Sequence, residues 1–579
     1  VERREMSARG VSEGQRLVIL RWVVLFSLFF LVFGLYRFQV TQADKYIRLA
    51  SENRLRFIRL PAARGDILDA NGTPLATNVK TFNLMGYPLD LRRQGRMGEI
   101  ADFLVRQGIP IGKDELQAIV DRQYDVPYNA VPILPNLTMA QIATMVSDPE
   151  FPEYLFPLPV SRRVYPSGPL VAHIVGSVGE VTKKDLETLP PDVYRGGDII
   201  GKGGVEQFYE ERLRGSAGEE SIEVDARGRR VQVLDRKEPV PGQTIRLTVD
   251  LGAQNLAANL MGDRKGAVFA MDVRTGDVKA LYSFPTFDTN PLAWGISSRE
   301  WIALVNDPDR PMMNRVISGT YPPGSTYKVV TLYAALSEGG ITERTTFRCT
   351  GAFRLGDRVF RCWKRSGHGT VDIIESLKDS CDVYLYQAGL AAGIDALVFW
   401  GRRFGFGEPT GIDLPGEVSG IVAGREWKRR NLGEKWYLGD TVNYSIGQGF
   451  LLVTPIQTAV MYAALANGGT LVRPRLFAER PEENRRLDLS AKYLQILRKG
   501  LREVVRDGTG KPADGFGVEI AGKTGTAQNP HGEDHAWFVG YAPADDPKYV
   551  AIVLVEGGGK GSSTAGPLVG RMLAYLCRR

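Results

Sequence analysis

The sequence predicts an α+β protein: a mostly antiparallel sheet with helices against it, preceded by an extended N-terminal module and one transmembrane helix. Three observations carry this. Residues 17–36 are apolar apart from Arg21. Strand-like stretches at 267–271, 517–528 and 549–555 alternate with helical ones opening at Ser325 and spanning 371–390 and 454–466. From residue 245 onward there are about 330 residues, enough for one large core, and about 200 more separate them from the apolar run.

In chain order, residues 1–16 read as a cytoplasmic tail and 17–36 as the membrane anchor. At 1.5 Å per residue that run crosses roughly 30 Å of hydrocarbon. Arg3, Arg4, Arg9, Arg16 and Arg21 crowd its N-terminal side, which places the N-terminus in the cytoplasm and the rest beyond the inner membrane. The alternative is a cleaved signal peptide. The run is longer than a usual signal core, and Arg37-Phe38-Gln39-Val40 offers no small-residue cleavage site. A net charge of +7 raises nucleic acid as a partner. No basic patch with interleaved aromatics stands out, and part of the excess belongs to the membrane-flanking segment, so a solvated surface near anionic surroundings such as lipid accounts better for the charge.

Residues 37–244 form a separate stretch with its own patterning. Thr138-Met139-Ala140-Gln141 is a capping box, and Ile142, Met145 and Val146 continue an apolar face. Residues 222–224 and 244–249 alternate as strands, and Pro239, Pro241 and Gly242 punctuate a boundary before a second domain at 245–579. The region is either a passive spacer or an arm that contacts partners. A spacer would not need its own core, which favours the arm.

Chemistry concentrates in three ordered motifs. Ser325-Thr326-Tyr327-Lys328 follows the breaker Pro322-Pro323-Gly324, and Gly339-Gly340 stops the run. Ser325 therefore opens a helix, and Val329, Val330, Leu332, Tyr333, Ala335 and Leu336 leave that helix little polar face. At a spacing of three, Ser325 and Lys328 share one face, where a desolvated lysine could take the serine proton. The bland alternative, a serine N-cap with a surface lysine, loses ground to the other motifs. Ser380-Cys381-Asp382 is the second. The third, Lys523-Thr524-Gly525, lies in a strand of edge character along which a peptide could pair. Lys523 would supply charge there, and the hydroxyls of Thr524 and Thr526 would hold a terminal carboxylate. The trio describes a serine acyl-transfer site. Residues 517–524 also satisfy a phosphate-loop pattern, but Gly525, Asn529, Pro530 and Gly532 would not support the helix such a loop requires.

Cys349, Cys362, His368 and Cys381 form a ligand set of suitable softness for tetrahedral zinc, in a structural role that would pin the loop carrying Ser380 and Asp382. A Cys349–Cys362 disulfide and unlinked buried thiols are the rivals. Cys577 has no evident partner.

The chain resembles the class B penicillin-binding proteins, monofunctional D,D-transpeptidases of cell-wall peptidoglycan. Besides the three motifs, the likeness rests on Arg64-Gly65-Asp66, Arg163, Tyr165-Pro166, Gly201 with Glu206 and Tyr209, Pro311-Met312-Met313-Asn314-Arg315, Ser445-Ile446-Gly447-Gln448-Gly449 and Trp537-Phe538. The resemblance implies the serine penicillin-recognising fold, with 37–244 as pedestal and head. It implies Ser325 as nucleophile, Lys328 as base, Ser380 as proton relay, Lys523 keeping that relay electropositive, and Ser325 and Thr526 N–H groups as oxyanion hole. Thr524, Gly525 and Thr526 would line the substrate. No catalytic cofactor is implied. The stem peptide would end in D-Ala-D-Ala, and β-lactams would trap Ser325. Asp382 departs from the family's usual asparagine, which resembles the elongation-type subgroup, penicillin-binding protein 2, and leaves its own role open. Absence of a polymerase-like segment points to an integral-membrane glycosyltransferase of the shape, elongation, division and sporulation family as partner, met through the anchor and pedestal, with elongation-complex scaffold proteins beside it. A β-lactamase would share the motifs without needing the anchor and N-terminal module. A non-catalytic sensor or scaffold would keep the fold alone.

Overall fold

The computed structural model describes residues 13–45, 55–92, 96–121, 130–224, 230–529 and 532–578. Arg3, Arg4, Arg9 and Pro530 lie outside these. Glu13–Tyr36 is a continuous helix, and Phe26, Leu28 and Phe30 on it are more than half exposed. Such apolar side chains, uncovered by protein, suit a lipid environment.

The chain, this helix included, divides into two compact units. The first comprises 1–62, 80–161 and 216–240. Leu55–Leu60 pairs antiparallel with Gly218–Val224, which pairs in turn with Arg230–Lys237. Helices Arg96–Arg106, Lys113–Asp121 and Met139–Ser147 enclose a core containing Leu84, Phe103, Leu104, Leu116 and Ile142. The Thr138 capping box forms as expected. Val146 does not join the apolar face: it is exposed, while Ile142 and Met145 are buried, because a nine-residue helix lying on one face buries only a narrow stripe.

The second unit comprises 63–79, 162–215 and 241–579. Its sheet contains β1 (Gly266–Asp272), β2 (Val278–Phe284), β3 (Ala521–Ala527), β4 (His535–Ala542) and β5 (Tyr549–Val555), in the order β2-β1-β5-β4-β3 with every pair antiparallel. β3 thus forms an edge. It is shorter than the alternation over 517–528 predicts, beginning only at Ala521. The expected strand at 244–249 likewise contracts to Ile245–Arg246.

Helix α1 (Lys328–Ser337) follows a 3₁₀ turn, Gly324–Tyr327, and every residue from Lys328 to Leu336 is buried. The helix expected over 371–390 is broken. A strand Gly369–Val371 leads to α2 (Ile373–Lys378), and α3 (Asp382–Arg403) starts afresh after Ser380, whose φ is +52°. A left-handed serine cannot continue a helix. α4 (Pro455–Ala466) is wholly buried.

Segments distant in sequence meet in this unit. Gly65 N donates to Leu213 O at 2.8 Å, and a Cβ on Gly242 would fall 1.9 Å from Leu213 O, so only glycine permits the approach. Glu206, fully buried, accepts from Arg64 Nε at 2.5 Å and Arg163 Nε at 2.7 Å. A buried carboxylate needs such partners, and the two arginines hold it ionised.

Candidate active site

Ser325 is positioned by backbone contacts on both sides of its turn. Gly324 adopts φ +53°, and its N–H donates to Gly447 O at 3.0 Å. A Cβ on Gly447 would lie 2.2 Å from Gly324 O. Tyr462 donates its hydroxyl to Thr326 O at 3.0 Å. On the other flank passes β3: a Cβ on Gly525 would meet Thr326 Cγ2 at 2.9 Å, and one on Gly324 would meet Thr526 O at 2.9 Å. The glycines of both motifs therefore let the serine turn and the edge strand touch.

Lys328, one turn beyond Ser325, is fully buried. Its Nζ donates to Ser380 O at 2.9 Å, to Ser380 Oγ at 3.1 Å and to Asp382 Oδ1 at 2.6 Å. These use all three donors of an ammonium. The left-handed turn at Ser380 aims both its carbonyl and its hydroxyl at the lysine, a function for the break between α2 and α3. Asp382, whose role the sequence leaves open, is the charge partner of Lys328. Its other oxygen, Oδ2, accepts from Trp363 N at 3.0 Å.

Lys523 on β3 is also fully buried. Burial pushes its pKa well below the ordinary lysine value, nearby Lys328 adds repulsion, and Asp382 pulls the other way. Nζ of Lys523 donates to Thr524 O at 3.2 Å and Thr524 Oγ1 at 3.3 Å, and Thr524 Oγ1 bonds Thr509 Oγ1 at 3.0 Å. Thr526 is exposed at the open edge of the strand. Ser380 and Asp382 thus gather on Lys328, with Lys523 close enough to feel both charges, while Gly525 and Thr526 abut the turn that carries Ser325. Sequence reasoning missed Trp363 and Thr509. Trp363 could have been found from its place beside Cys362; Thr509 carries no signal.

Cys349, Cys362, His368 and Cys381 also converge, with their ligand atoms all within 4.8 Å of one another. His368 Nδ1 lies 3.6 Å from Cys349 Sγ and 3.5 Å from Cys362 Sγ. Ligands around tetrahedral zinc stand about 3.5–3.8 Å apart, given bonds of ~2.0–2.3 Å. The three thiols and imidazole fit such an ion. All the cysteines are free thiols, so the Cys349–Cys362 disulfide is not formed. The cluster touches the catalytic loop twice, through Cys381 in the chain and through Trp363, next to Cys362, in its bond to Asp382.

Two family models match: a penicillin binding protein transpeptidase domain over 266–574 and a penicillin-binding protein dimerisation domain over 59–247. The Acinetobacter baumannii protein named peptidoglycan D,D-transpeptidase MrdA is 36% identical over 566 residues, covering 91% of this chain and 82% of that one. A Helicobacter pylori structure, a complex between penicillin-binding protein PBP2 and MreC, superposes with a TM-score of 0.81 at 30% identity, covering 90% of this chain and 99% of its own. A structure described as a peptidoglycan synthase complex coordinating polymerization and crosslinking matches at TM-score 0.72 and 30% identity, over 97% of this chain and 99% of its own.

Proposed function

The chain belongs to the penicillin-binding protein transpeptidases, and from that premise we propose how its residues divide the work. It is a serine D-Ala-D-Ala transpeptidase that cross-links peptidoglycan stem peptides during wall elongation and is a target of β-lactams. A donor stem pairs with the free edge of β3, its terminal carboxylate towards Lys523, Thr524 and Thr526. Ser325 Oγ attacks the carbonyl of the penultimate residue, and the oxyanion is held by Ser325 and Thr526 N–H groups. Before Lys328 can accept the serine proton it must pass on one of its own. Asp382 Oδ1 at 2.6 Å is the group that can hold it, while Ser380 Oγ at 3.1 Å can only relay, giving up its own proton as it takes one from Lys328. Ser380 then returns a proton to the departing D-Ala amine, leaving an ester on Ser325. An amine from a neighbouring stem attacks that ester by the reverse path.

The observation that carries this reading is the convergence of Ser380, Asp382 and buried Lys328 within hydrogen-bonding distance, one turn from Ser325. A fluorescent penicillin should label the full chain stably and Ser325→Ala not at all. Rapid loss of label would favour a hydrolase, and no label a scaffold.

Four finer assignments accompany it. Residues 37–244 act as the non-catalytic pedestal and head, and 245–579 as the transpeptidase domain. Zinc held by Cys349, Cys362, His368 and Cys381 braces the catalytic loop without entering the reaction; protein purified without added metal should retain about one zinc per chain. The helix Glu13–Tyr36 anchors the chain in the inner membrane with its N-terminus cytoplasmic, as the arginines before and within it favour. An integral-membrane glycosyltransferase and an elongation scaffold protein are its partners, supported by the complexes that its structural relatives form.

A further inference from the structure

Between Phe347 and His368 the chain leaves the catalytic core and returns. This excursion carries Arg348, Arg354, Arg358, Arg361, Lys364 and Arg365 against the single carboxylate of Asp357. All six cations are exposed, and none of them makes an ion pair among the described residues. The excursion is thus a basic patch with a local excess of five positive charges, and Phe353, Phe360 and Trp363 lie between its cations.

The excursion is built rather than loose. Ala352–Leu355 and Arg358–Arg361 form an antiparallel hairpin in which Phe353 opposes Phe360 and Arg354 opposes Val359. Phe353 and Phe360 pack towards Tyr386 of α3, at ring separations of 6.2 and 5.9 Å, and Tyr386 donates its hydroxyl to Arg361 O at 3.0 Å. Side chains alternate along a strand, so Arg354 and Arg361 face away from α3. The hairpin's base is gathered by Cys349, Cys362 and His368. Adjoining it are exposed Trp363 and Lys364, and Trp363 N is bonded to the carboxylate that also holds Lys328.

We propose that this cationic hairpin is the binding surface for the acceptor strand, an acidic glycopeptide whose stem carboxylates meet the arginines while its amine enters beside Ser380. The inference rests on the transpeptidase reading. The donor occupies the edge of β3, so a second strand needs another approach. The incoming amine retraces the path of the departing one, past Ser380, and the hairpin is a charged surface tied to that loop through Trp363 and the thiol cluster. Exposed arginines and lysines raise the local concentration of a polyanion and speed its encounter, an effect that salt screens.

The test uses the full chain in detergent, a carboxylate-bearing acceptor stem peptide, and the double variant Arg354→Glu/Arg358→Glu, which leaves the thiol cluster untouched. Expected are an apparent KM for acceptor raised by roughly three- to tenfold, the reach of two exposed charge pairs, and a native kcat/KM that falls with salt more steeply than the variant's. Penicillin labelling at the native rate shows that the variant is folded and its donor site intact. Equal KM and equal salt dependence in a normally labelled variant would overturn the proposal. So would a KM defect of the same size towards an acceptor whose carboxylates are amidated. Failure of the native chain to label would overturn the underlying reading instead.

Discussion

Lys523 lies fully buried beside a second lysine, and its folded-state pKa falls below the ordinary 10.5. Between those two values the unfolded chain binds more protons than the folded one, so stability rises with pH across that window and the full cost is present below it. Lys523→Met should flatten that rise and increase Tm at neutral pH while weakening penicillin labelling; thermal melts of both proteins from pH 7 towards the lysine range, about 10.4, check it. The stabilised variant would show that the site holds this amine at the expense of the fold. Sequence made both lysines visible through motif spacing. It could not show that Asp382 is the charge partner of Lys328, because that contact joins residues 54 apart across a left-handed serine turn.

At the scale of elements, the serine turn depends on a backbone meeting between Gly324 and Gly447. Both have positive φ, and a methyl group on Gly447 would stand 2.2 Å from a carbonyl oxygen that cannot swing aside. Gly447→Ala should cost about 1–3 kcal/mol of stability and slow acylation more than Gly433→Ala, a positive-φ site with open space around it. Melting temperature and labelling rate, measured together, separate strain common to both from displacement of the nucleophile. The edge strand and the buried serine helix were legible from alternation and apolar runs. The break between α2 and α3 was not, since every residue over 371–390 except Gly389 tolerates helix and the left-handed turn goes with contacts from Ser380 to a lysine 52 residues away.

For the molecule as a whole, sequence suggests consecutive domains, whereas the compact units interleave. Ile67, Leu75, Tyr165, Val171, Ile174, Val205 and Leu213 share one core with Phe269, Leu332 and Ile552. Burial of seven such side chains contributes on the order of 10 kcal/mol, comparable with the entire stability of a domain. A fragment of residues 245–579 should therefore aggregate and fail to label with penicillin, while a chain lacking only residues 1–41 should remain labelled; size-exclusion profiles and labelling of the two decide it. A linear reading misses this because hydrophobic pattern tells which residues are buried, not which chain segment will be their neighbour.

The open side of β3 has a meaning beyond catalysis. An unpaired strand edge is a template for any extended backbone, and another copy of the same chain offers one. Evolution cannot cap this edge without closing the enzyme, so the usual defences against fibre formation are forbidden at this one place. Solubility then depends on features that spoil partners other than substrate: a strand of only seven residues and two glycines within it. An inhibitor that fills the edge would act on colloidal behaviour as well as on chemistry, leaving the acylated protein the better-behaved sample.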